Sequence, residues 1–152
     1  MSPTDLPELL ARTVAELERR GIPDEALANL SIPRFGRSRL VPTGRAWRLG
    51  VLLLDRGGRL YETATVTRAV EPLRGVTNRS AEADARRQLR HLAARSSRFP
   101  EGEAVNVDPV PLDLDGPLSV VDGVVMIRWN AGGGIRPLEE YLADRLSLLD
   151  DA

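Results

Sequence analysis

Cysteine and lysine are both missing from this 152-residue chain, and histidine occurs once, as His91. Without cysteine there is no disulfide, zinc ribbon, iron–sulfur cluster or thiol nucleophile. Without lysine there is no Schiff base, so pyridoxal phosphate and class I aldolase mechanisms are excluded, as is a Walker A loop. One histidine cannot build a multi-histidine metal site within one chain, although a Ser-His-Asp arrangement needs no more. Aromatic residues are 4% of the chain, which leaves few stacking platforms for single-stranded nucleic acid. No apolar run approaches the roughly 20 residues of a membrane helix. Met1 to Arg12 also lacks the basic-then-apolar order of a signal peptide, so a cytoplasmic chain with no membrane partner is expected.

What is present is a globular composition, 42% hydrophobic and 28% charged, at the size of one ordinary domain. All 21 basic residues are arginine, and the formal net charge is −1. The charge is unevenly spread. Residues 1–33 carry three arginines and six acids, residues 34–98 fifteen and five, and residues 99–152 three and eleven. Either the basic middle folds against the acidic end or faces it across an oligomer interface, or it meets an anionic partner such as nucleic acid, or the asymmetry simply mixes on the folded surface.

Asp5 and Glu8 are spaced as a capping box opening a first helix, whose apolar face is Leu6, Leu10, Val14 and Leu17. Gly21 and Ile22 close it as a Schellman pair, and Pro23 stops it. Asp24 to Leu30 reads as a short second helix. Pro33 to Arg45, with two prolines, two glycines and four arginines, reads as a surface loop. Ala46 to Asp55 predicts a central strand, turned at Asp55 to Gly58 into a long strand over Arg59 to Val70. Ser80 caps a third helix running to about Ser97, with Arg79, Arg86 and Arg90 along one flank. Ala104 to Asp115 is proline-punctuated and suits an edge strand. Leu118 to Val121 and Val124 to Asn130 form a hairpin about Asp122-Gly123. Pro137 opens the last helix.

The expected fold is therefore α+β: a single domain over 1–152, with a mostly antiparallel sheet built from two hairpins and about four helices packed mainly on one face. Residues 1–33 make an N-terminal helical segment, 34–45 a basic loop and 46–152 the sheet-and-helix core.

Two candidate anion sites stand out, the first with a flexible connector as its simpler reading. Gly132, Gly133 and Gly134, followed by Arg136, lie between a strand and a helix, where backbone amides can cradle a phosphate. The dinucleotide fingerprint is not met, because Pro137 holds the third glycine position. Arg79, Arg86 and Arg90 form the second candidate, a basic patch. Asp108, Asp113, Asp115 and Asp122 carry oxygens suited to a hard cation, but lack the calcium-loop pattern and read first as turn formers. His91 is a general base only if another element covers it. Trp47 and Trp129 read as core or interface residues, with a ligand-stacking wall as the alternative. No metal site and no cofactor is expected, and no catalytic residue is assigned. The leading reading is a non-catalytic domain that forms a homo-oligomer. The alternatives are a module binding an anion or nucleic acid through the arginine-rich middle, with nucleic acid not favoured, and a small enzyme acting on an acidic metabolite.

Overall fold

A computed structural model describes residues 1–63, 65–69, 81–96, 98–130 and 132–149. The chain is α+β, and the described residues hold three α-helices, not four. They fall into two compact units. The first comprises 1–24, 46–63 and 110–152, and the second 25–45 and 64–109.

In the first unit, helix α1 (Leu6–Arg20) follows a 3-10 turn at Pro3–Asp5. Its start is set by Ser2 and Asp5 instead of Asp5 and Glu8: the Asp5 carboxylate accepts from the Ser2 amide and hydroxyl. Its end is the expected Schellman pair. Gly21 takes φ +66°, its amide reaches Glu18 O, and the Ile22 amide reaches Leu17 O. Leu10, Val14 and Leu17 are buried as the helical period requires.

The expected central strand over 46–55 is broken in two. Strand β2 (Arg39–Leu49) begins in the second unit and ends in the first, where Gly50-Val51 turns it into β3 (Leu52–Leu54). Leu49 faces Leu52 and Trp47 faces Leu54 across this two-residue turn. The turn resets the strand's phase, which is why apolar residues run through both alternations in the sequence. Gly50 takes φ +67°, the first-position geometry of a tight hairpin turn. The Tyr141 hydroxyl then clamps the turn, donating to Leu49 O and accepting from the Val51 amide, both at 2.9 Å.

Strand β4 (Leu60–Glu62) returns antiparallel to β3, and β7 (Val110–Leu112) covers β4 as the edge with Pro111 on it; of the edge strand expected over 104–115 only this part is an edge, because residues 104–107 pair on both sides. The expected long strand over 59–70 also breaks at Thr63, and its second half, β5 (Thr65–Arg68), belongs to the second unit. A separate three-stranded sheet is formed by β8 (Leu118–Val121), β9 (Val124–Arg128) and β10 (Ile135–Pro137), ordered β10-β9-β8. Helix α3 (Leu138–Ser147) packs on β9 and β10. Leu138, Tyr141 and Leu142 enter a cluster with Leu17, Trp47, Leu52 and Ile127.

In the second unit the expected short helix at Asp24–Leu30 is strand β1 (Glu25–Ser31). Nine residues between prolines are too few for a stable isolated helix, so pairing decides. Ala26 and Ala28 lie opposite Val105 and Val107 of β6 (Ala104–Val107), in parallel. The buried Asn106 side chain secures the pair by donating to Glu25 Oε1 and Ala26 O. Strand β5 pairs antiparallel with β6, and the order is β5-β6-β1-β2. The last seven residues of the expected basic loop, Arg39–Arg45, are thus strand. Helix α2 (Ala81–Arg95) packs on β5, and Leu92 and Ala93 enter a small core with Leu40, Phe99, Val105 and Val107. The Ser80 cap lies outside the described residues.

Glycine substitutions separate strain from clash. Gly123 has φ +76° with nothing within 4 Å of an added Cβ, so Gly123→Ala is expected to cost about 1 kcal/mol. At Gly50 an added Cβ lies 2.0 Å from the Tyr141 hydroxyl, so Gly50→Ala should cost at least about 3 kcal/mol through strain and loss of the clamp. Urea unfolding of both variants measures this; equal costs would contradict the clamp.

Candidate anion-binding groove

An arginine-lined concavity lies wholly within the second unit. It has a volume of about 500 Å³ and is lined by Arg37, Ser38, Arg39, Leu40, Val41, Leu92, Arg95, Ser96 and Arg98. Local structure brings these together. Arg37 and Arg39 stand where the loop after β1 enters β2, while Arg95, Ser96 and Arg98 end α2 and begin the following turn. Leu40 and Leu92 are buried in the unit's core and so hold both walls in place. The Arg98 amide donates to Ser96 Oγ at 3.3 Å, which fixes the turn.

Among the described residues no carboxylate lines the groove. Among the described residues, none of its four arginines forms an ion pair. Arg95 lies in the last turn of α2, where a cation complements the helix dipole, but this accounts for one charge of four. Several arginines elsewhere are matched: Arg19 and Arg20 hold Glu16, Arg56 holds Asp24 at 2.5 Å, and Arg45 holds Glu103. The two guanidinium groups pull the Glu16 carboxyl down to about 2. By sequence the second unit carries twelve arginines against seven acids, a net of +5, and the first carries −6.

The residues singled out from sequence are placed elsewhere. Arg79 lies outside the described residues. Arg86 and Arg90 are exposed on one flank of α2; at 100° per residue, Arg95 is about 140° round the helix from Arg90. The two therefore do not enter the groove. The glycine loop turns β9 into β10, with Ile135 opposite Arg128. The Gly133 amide reaches Asn130 O at 3.3 Å and the Gly134 amide Asn130 Oδ1 at 2.9 Å. Arg136 pairs with Asp144 at 2.6 Å. An anion at this loop must displace those bonds.

Asp108 accepts from the Leu30 amide, Asp115 accepts from the Asp113 amide, and Asp122 sits at φ 50° in its hairpin turn. Among the described residues there is no cluster of three metal-binding side chains, and no helix is long and apolar enough to cross a membrane. His91 is half-buried on α2. Trp47 is 1% exposed, donates Nε1–H to Ile22 O at 2.8 Å and lies 4.5 Å beneath the Arg56 guanidinium. Trp129 is 41% exposed and lines a shallow cavity of about 200 Å³ with Glu62 and Arg128. A further, more apolar concavity of about 460 Å³ is bordered by Leu6, Leu60, Tyr61 and Leu112. Burial, followed by its bond to Asp55, raises the Tyr61 phenol above its ordinary value of 10.

Sequence reasoning placed Arg37 and Arg39 in a basic surface loop without naming them as site residues, and passed over Arg95 and Arg98. The available signal was the acid-free run Ala85 to Arg98, which holds five arginines. Comparison with known protein families, curated proteins and solved structures finds no match.

The two tryptophans should separate by fluorescence. Trp129→Phe leaves Trp47 alone, and its emission should be blue-shifted and several-fold less quenched by acrylamide than the parent's. A red, readily quenched emission would contradict the burial of Trp47.

Proposed function

We propose that the chain is a binding module whose second unit takes a phosphate-bearing ligand in the arginine groove. The observation that carries this reading is the set of four groove arginines, which have no carboxylate partner among the described residues. Guanidinium groups present paired N–H donors that match two phosphate oxygens at once, and the Ser38 and Ser96 hydroxyls add neutral donors. The volume lies within the range of small-ligand sites. Mutual repulsion of the four cations raises the energy of the empty groove, so several negative charges, on one ligand or on neighbouring ones, fit better than a single carboxylate.

Pyrophosphate is the simplest probe. At a concentration about one hundred times Kd it should stabilise the parent by about 2.7 kcal/mol, read as a rise in Tm. Arg39→Ala and Arg95→Ala should each weaken this binding about tenfold, while Arg136→Ala should leave it unchanged. Loss with Arg136→Ala, or no response in the parent, would reject the groove.

Self-association is a second reading, supported by the opposite net charges of the two units. In that case the arginines of one copy would meet acids of another. Sedimentation would then show an oligomer that dissociates as salt rises, because screening weakens exposed pairs.

A further inference from the structure

The loop joining β1 to β2, residues 32–38, carries a feature that a soluble phosphate ligand does not use. Ile32 is 73% exposed and Phe35 is 85% exposed. Both lie among Arg34, Arg37 and Arg39, and Arg37 is itself a wall of the groove two residues beyond Phe35. The Arg34 guanidinium stands 5.9 Å from the centre of the Phe35 ring. Pro33 and Gly36, the latter at φ +102°, bend the loop on either side of this pair. Exposing two large apolar side chains costs free energy in water, and the loop has no core residue to hide them.

We propose that the groove's occupant is the phosphate headgroup of an anionic lipid in a bilayer surface, with Ile32 and Phe35 dipping into the interface beside it. The inference rests on the groove being a phosphate site. It commits to a lipid because the ligand must offer phosphate and apolar surface side by side. A nucleic-acid duplex offers phosphates to the arginines, but its backbone gives Ile32 and Phe35 nothing to bury against. A bilayer supplies both at the distance of two residues. The absence of a spanning helix does not bear on this, since a surface-bound loop needs no span.

Neither half suffices alone. Two inserted side chains provide less apolar burial than one acyl chain, which by itself anchors a protein only marginally. Each arginine near an anionic leaflet adds attraction that salt screens within a Debye length. Binding should therefore require anionic lipid, fall with salt and depend on the loop.

The test is co-sedimentation of the full chain with vesicles of phosphatidylcholine, alone or with about one-third phosphatidylglycerol, beside pyrophosphate and random-duplex DNA titrations. The expected result is binding to the anionic vesicles only. Phe35→Ser should lower that partition roughly tenfold and leave pyrophosphate binding unchanged. Arg39→Ala should weaken both. Phe35 is exposed, so its replacement should leave the fold intact, which an unchanged Tm verifies. Pyrophosphate binding without vesicle binding would overturn the lipid proposal and spare the groove. Duplex binding without vesicle binding would overturn it in favour of nucleic acid. Vesicle binding that Phe35→Ser does not alter would remove the inserted loop. No binding of any probe would overturn both readings.

Discussion

Uncompensated positive charge in the second unit is the constraint from which the functional account follows. Arginine stays ionised under all ordinary conditions, so the groove cannot shed its charge by losing protons. It can be balanced only by a partner carboxylate or by an external anion. The described structure supplies carboxylates to Arg19, Arg20, Arg45, Arg56 and Arg136, and none to the four groove arginines. The contrast lies in placement rather than in number, because the whole chain is nearly neutral at −1.

The first unit shows the opposite economy, in which polar groups are matched at close range. Tyr141 is 2% exposed, yet its hydroxyl serves both backbone groups flanking the Gly50 turn. Trp47 is buried, yet its indole N–H reaches Ile22 O. These bonds join helix to hairpin and the end of α1 to β2, so a buried polar atom is satisfied each time a large ring enters the core. Such matching rigidifies a unit and leaves little for a ligand to do.

Local grammar was readable where a glycine meets a need for positive φ, though the start of α1 was misread by one cap. Gly21-Ile22 closes α1 as its sequence requires, and Asp122-Gly123 turns β8 into β9 with φ of 50° and 76°. The α+β class was readable for the same reason. Reading failed where partners distant in sequence decide. Glu25–Ser31 has helix-forming residues but pairs with β6 nearly eighty positions later. Leu49 and Leu52 look like successive steps of one strand, yet a turn separates them. The groove joins Arg37 and Arg39 to Arg95 and Arg98 across more than fifty residues, and no local pattern in either segment names the other. The flank of Arg86 and Arg90 was visible because helical period alone defines it.

The most direct measurement is an NMR titration that follows the arginine side-chain Nε–Hε resonances as pyrophosphate is added. Four bidentate contacts should move the signals of Arg37, Arg39, Arg95 and Arg98 together, with one saturating curve. Arg86, Arg90 and Arg136 should stay in place. Shifts centred on Arg136, shifts spread evenly over all exposed arginines, or no saturable shift at all would contradict the account.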